Sequence, residues 1–194
     1  MGFNYWLATG VLGIAGLAIA GLVLLVRSWP ASPQLSAEER ADMAGAPMPP
    51  LQKRAWVGLS IAVITTAVVT YLVASNGAAE YWVNDQLRLT VMMIFIGGLI
   101  AWAIVPATLM LGEGERKNVD ERDRAILARA PMFQQVAILL ALAAWLISLT
   151  QRFHDEGAVP VVYLYLLFGS IILVNMMAQS LGVLLGYWLK VGNA

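Results

Sequence analysis

Five stretches of this chain are apolar for long enough to cross a bilayer, and the polar residues are arranged around them. About 30 Å of hydrocarbon, crossed at about 1.5 Å per residue, needs roughly 20 mainly apolar residues. Residues 5–26, 56–74, 89–111, 132–150 and 161–189 each supply such a run. Apolarity within the runs is continuous, without the alternation that a membrane barrel strand requires, so the pattern predicts helices. The fifth run is too short for two spans and a turn, and it reads as one long helix that tilts or extends past the hydrocarbon. The first has the length of a secretory leader, but no Lys or Arg precedes it and Arg27 follows it, the charge order of an N-out anchor. The predicted fold is an all-α, polytopic membrane helix bundle, a single transmembrane domain of about five helices.

Composition agrees with that pattern. The 194 residues are 60% hydrophobic and 12% charged, with a mean hydropathy of +0.73, a balance that water does not support in a domain of this length. Twelve Lys and Arg are matched by twelve Asp and Glu, so bulk charge gives no reason to expect direct nucleic-acid binding. Cysteine is absent, which excludes disulfides, thiolate metal sites and cysteine nucleophiles. A single histidine, His154, excludes any centre needing several imidazoles from one chain.

Charge matters here by position. Arg27, Arg40, Lys53 and Arg54 fall between the first two spans, Arg116, Lys117, Arg122, Arg124 and Arg129 between the third and fourth, and Lys190 in the tail. The other two loops hold only Arg88 and Arg152. By the positive-inside rule the N-terminus is outside, loops 27–55 and 112–131 are cytoplasmic, and so is the C-terminus. The expected location is the cell inner membrane. Trp6, Trp29, Trp56, Trp82 and Trp188 fall near predicted span ends, where an indole prefers the headgroup level. Trp102 and Trp145 lie deeper and are assigned to helix packing.

The two cytoplasmic loops carry local structure of their own. In the first, with Pro30, Pro33, Pro47, Pro49 and Pro50, Ser36 and Glu39 form a capping-box pattern for a short helix ended by Gly45 and Pro47. It reads as an ordered connector, or as a docking site for a soluble partner. In the second, Asn118 is placed to cap a helix, Glu121 sits at the box position, and Asp120 and Asp123 add negative charge to the first turn. Asp120 and Arg124 are four apart in the favourable acid-first order. Val119, Ile126, Leu127 and Ala130 share a face flanked by Arg122, Arg124 and Arg129, which predicts a short amphipathic helix on the inner surface, separated from span four by Pro131. Asp120, Glu121, Arg122, Asp123, Arg124 and Arg129 are therefore candidate contacts for lipid headgroups or a protein partner. Catalysis by the three carboxylates is disfavoured, since each has an Arg and water nearby.

Within the spans no charge occurs, which weakens proton pumping and voltage sensing as functions. The polar residues there are neutral. Asn175 and Gln179 are four apart on the last helix, and Gly182 and Gly186 continue below them. Such a seam packs helices or mediates dimerisation, and its sharper alternative is a site for a small polar ligand or quinone headgroup. Gly10, Gly13, Gly16, Ala20 and Gly21 give the first helix a close-packing face. Pro106, after Gly97 and Gly98, predicts a kink in span three. His154, Asp155 and Glu156 read as a solvated turn, with metal or pH sensing as the alternative. Placing Arg54-Ala55-Trp56 on Arg129-Ala130-Pro131 gives a weak internal repeat of spans two and three as four and five.

The run "VDERDRAILARA" before a helical hairpin, an Asn in the last span and a "GYWLK" end resemble small prokaryotic integral membrane proteins of unknown function that carry an Asp-Glu-Arg-Asp motif. The resemblance covers roughly Arg116 to Gly192; the N-terminal helix and the Pro-rich loop depart from it. It implies a hairpin with no assigned reaction and, as partner, a helix-turn-helix regulator at the membrane. The expected function is that of a non-catalytic scaffold, accessory or regulatory subunit, as a homo-oligomer or within a larger membrane complex. A small transporter or channel for a neutral or small polar solute is the alternative, and a membrane enzyme acting on lipid or quinone ranks last because no nucleophile, acid–base pair or metal set converges in the spans. No catalytic residue, cofactor or metal site is predicted.

Overall fold

In this computed structural model residues 48–108 and 121–188 are described. The predicted helix 5–26, the Ser36–Glu39 cap, the Asn118 cap, Asp120, positions 109–111 of span three and the tail from Leu189 lie outside them. The described residues are helical with no strand. Helix α1 runs over Pro50–Asn76, α2 over Ala78–Val83, α3 over Asp85–Thr108, α4 over Glu121–Phe153 and α5 over Val161–Trp188. Four of these, α1, α3, α4 and α5, are long and apolar enough to cross a membrane.

Helix boundaries follow from caps as much as from hydropathy. Pro50 opens α1 where its missing N–H would be unsatisfied anyway, and the Lys53 N–H donates to the Pro49 carbonyl at 3.0 Å. This start lies inside the stretch predicted as loop 27–55. At the far end Gly77, with φ of 86°, donates its N–H to the Val73 carbonyl at 2.9 Å and closes the helix in a conformation costly for other residues. Helix α2, which apolar patterning alone did not predict, follows at once. Asn84 ends it through its N–H and caps α3 by accepting from the Leu87 N–H at 3.1 Å.

Pro131 does not separate an interfacial helix from span four. Helix α4 is continuous through it, so the amphipathic run from Glu121 to Ala130 is the first part of the spanning helix, not an elbow lying flat on the surface. A proline inside a helix costs about 3 kcal/mol through a lost hydrogen bond and ring clash. Packing offsets that cost: Ile126, Ala130 and Phe133, on both sides of the proline, are buried, while Pro131 itself points outward. Pro106 is likewise passed by α3, which continues to Thr108.

Packing order differs from chain order. Helix α1 lies against both α3 and α5, and α4 lies against α5, giving the row α3–α1–α5–α4. Leu51 and Ala55 of α1 meet Ile126 and Ala130 of α4 and Val183, Leu184 and Tyr187 of α5 in one cluster at one end. The repeat read in the sequence aligns Leu51 with Ile126 and Ala55 with Ala130, and these pairs share that cluster. A middle cluster joins Ala62, Leu173 and Met176, with Phe95, Leu99 and Trp102 of α3 packed onto it. At the opposite end α2 buries Ala78 and Tyr81 against Val73, Val91 and Val162. Burial pushes the Tyr81 phenol above its usual value of 10.0, with Arg88 pulling it partly back.

Aromatic pairs mark both ends. Trp56 meets Trp188 with ring centroids 6.0 Å apart, and Trp82 meets Tyr165 at 5.6 Å. From Tyr165 to Trp188 α5 rises about 35 Å, close to the hydrocarbon thickness plus a margin. Between these belts large apolar side chains face outward, among them Leu146 at 68% and Phe168 at 67% exposure. Such a surface suits lipid rather than water.

Candidate functional site

Three polar rungs cross the antiparallel interface of α4 and α5. Near the Trp56–Trp188 end the Tyr187 hydroxyl donates to the Asp123 carboxylate. Further in, the Gln134 amide donates to the Asn175 side-chain oxygen. Toward the other end the Trp145 indole donates to Ser170 Oγ at 2.7 Å, and that hydroxyl in turn donates to the Leu167 carbonyl at 2.8 Å. Each rung satisfies groups that would otherwise lie unpaired in a medium without water, which is costly.

Glycines between the rungs bring the helices together. A Cβ on Gly182 would stand 3.2 Å from the Ala130 carbonyl oxygen and from Phe133 Cβ, and one on Gly186 would stand 2.7 Å from Ile126 Cγ2. Both glycines therefore face α4 at close approach. Helices α1 and α3 meet at a comparable point, where a Cβ on Gly98 would fall 2.4 Å from Thr65 Oγ1. Thr66 donates to the Ala62 carbonyl at 2.7 Å and also contacts Met177 Sδ of α5 at 3.6 Å.

The structure divides the residues singled out in the sequence. Asn175 joins the seam with Gly182 and Gly186, but Gln179 does not; its side chain is exposed. Asn175 and Gly182 are seven apart and lie within about 20° of each other around the helix, whereas Gln179 is turned about 40° the other way, off the strip that α4 covers. Of the charged group, Asp123 is half-buried and held by Tyr187, while Arg124 and Arg129 are exposed. Glu121 and Arg122 occupy the first turn of α4.

Sequence reasoning missed the partners rather than the seam. Gln134 was visible as a neutral polar residue in a span, and an amide in hydrocarbon requires a mate; pairing it with Asn175 needed the register of two helices. Tyr187 stood out only within the "GYWLK" end, and nothing in that run pointed to Asp123 as its partner, since a tyrosine near a span end has an interfacial reading that suffices. No protein-family model, curated protein or solved structure matches this chain. Its function therefore rests on its own geometry.

The chemistry available across α4 and α5 is hydrogen bonding, between neutral groups in the two inner rungs and to the Asp123 carboxylate in the outer one. Three ion pairs, Arg88 with Asp85, Arg152 with Glu156 at 3.3 Å and His154 with Asp155 at 3.0 Å, stand at the α2 and 154–156 end on exposed side chains. Such pairs contribute at most about 1 kcal/mol each. The His154 turn is exposed and is closed by hydrogen bonds from the Glu156 and Gly157 N–H groups to the Phe153 carbonyl; no three His, Asp or Glu side chains among the described residues are grouped to hold a metal ion.

Proposed function

We propose that this chain is a non-catalytic integral membrane protein that acts as a scaffold, accessory or regulatory subunit through helix packing and its cytoplasmic segments. The observation that carries this reading is the use made of the polar side chains in α4 and α5. Gln134, Asn175, Trp145, Ser170, Tyr187 and Asp123 bond to one another across the helices, so these bonds serve assembly of the two helices. On the outward side Gln135 and many large apolar side chains are exposed, the composition of a surface that associates with lipid and with further helices. The partners in this reading are a second copy or a larger membrane complex, together with a cytoplasmic protein such as a helix-turn-helix regulator at the charged segment around Asp120–Arg129. Purification in a mild detergent is expected to retain an oligomer or a stoichiometric protein partner, identified by mass and by mass spectrometry. Recovery of a lone monomer under those conditions overturns the proposal.

The same reading places the chain in a prokaryotic inner membrane, N-terminus outside and C-terminus cytoplasmic, because of its Lys and Arg distribution. The cysteine-free sequence makes this directly measurable. A single cysteine at His154 should react with a membrane-impermeant maleimide in intact cells, and one at Thr108, at the opposite end of the spans, only after permeabilisation. The reverse labelling pattern would invert the topology.

A further inference from the structure

Ser180 of α5 is 5% exposed, and its hydroxyl makes no hydrogen bond among the described residues. Other hydroxyls in the spans turn back on their own helix: Ser60, Thr66 and Ser148 each donate to the carbonyl four residues earlier, at 3.0, 2.7 and 2.8 Å. The Ser180 hydroxyl faces α1 instead, where a Cβ on Gly58 would stand 2.9 Å from its Oγ. Trp102 of α3 reaches the same place. Its Nε1 would be 3.4 Å from that Cβ, and the indole N–H likewise has no acceptor among the described residues.

Depth makes these two groups costly. Ser180 lies about 12 Å along α5 from Trp188, well inside the aromatic belt. A hydroxyl and an indole N–H without partners are unfavourable there, because hydrocarbon supplies none. The indole can only donate, whereas the hydroxyl donates and accepts. Both atoms fall within 3.4 Å of one point beside the Gly58 Cα. A single oxygen that accepts from Trp102 and bonds to Ser180 therefore satisfies both. The neighbours limit its size: Gly58 is buried, and Trp102 packs onto the buried Ala62, Leu173 and Met176.

We propose that Trp102, Ser180 and the notch at Gly58 bind one water molecule inside the membrane-spanning part of the bundle. The water accepts from Trp102 Nε1–H and bonds to Ser180 Oγ, two polar partners being enough to hold a buried water. Helices α3 and α5 lie on either side of α1, so this water ties together two helices that are not neighbours in the row.

Two measurements on the full-length chain in detergent test the site. In a sample with isotope-labelled tryptophan, the Trp102 indole N–H, assigned by its loss in Trp102→Phe, is expected to show a nuclear Overhauser cross-peak to water of the sign given by a long-lived bound molecule. The Trp145 N–H, which is bonded to Ser170, is the control and is expected to show none. A missing Trp102 cross-peak, or one no stronger than that of Trp145, overturns the proposal. Ser180→Ala is expected to lower the melting temperature followed by circular dichroism, although alanine is the better helix former, because it removes one of the two partners of the water. Loss of a hydroxyl that had no partner would leave the melting temperature unchanged or raise it, and that outcome also overturns the proposal.

Discussion

Gly98→Ala is expected to destabilise the helix assembly by about 1–3 kcal/mol, the usual cost of forcing one extra carbon into a close contact. The added Cβ would stand 2.4 Å from Thr65 Oγ1, 2.5 Å from its Cγ2 and 3.0 Å from its Cβ. Thr65 cannot turn aside readily: it is 6% exposed and, being β-branched on a helix, has few χ1 positions. The contact joins α1 to α3, and α1 is also a neighbour of α5, so separation there disturbs the middle of the row. Unfolding in detergent followed by circular dichroism measures the loss. Thr65→Ala in the same chain should restore much of it, since it removes the two nearest atoms, and the pair should therefore be non-additive. Equal stability of Gly98→Ala and the parent would show that the two helices do not approach as described.

The second large effect is expected at the amide rung. Asn175→Leu or Gln134→Leu alone leaves the other amide without its partner in a half-buried site, at a cost of about 1–3 kcal/mol. Replacing both removes the bond and the stranded group together, so the double variant is expected to be closer to the parent than either single one. Interhelical hydrogen bonds in membranes contribute only about 0.6 kcal/mol on average, because the separated helices also find partners. The stranded amide therefore dominates the single variants, and the double-mutant cycle is the readout that isolates the pair. Strictly additive losses would mean that Gln134 and Asn175 do not bond.

These two sites differ in how far the sequence announced them. A Gly-Gly pair in span three suggested only a kink with Pro106, and nothing in the pattern pointed from Gly98 to Thr65, because the contact depends on how α1 and α3 are rotated. Asn175 was read as part of a seam shared with Gln179, because spacing by four suggests a shared face. A step of four residues leaves an offset of about 40° around the helix, so that suggestion is too coarse to tell a covered strip from an open flank. The same coarseness hid the role of Asp123, which reads as one charge among several until Tyr187 is placed against it. Proline was misread for a different reason: its local penalty argues for a break at Pro131, but Ile126, Ala130 and Phe133 anchor both sides to the neighbouring helices.

Hydropathy along the chain was enough to establish a helical protein with several apolar helices long enough to span, because the requirement for about 20 apolar residues with internally satisfied backbone is local and strict; it did not place where α1 and α4 begin, which lie at Pro50 and Glu121 rather than at 56 and 132. The rotation of each helix, the row α3–α1–α5–α4, the three rungs of α4 and α5 and the open flank bearing Gln179 were decided by tertiary contact alone. Lipid-facing and helix-facing positions are both apolar, so no local pattern separates them. Only the fit of one surface on another does.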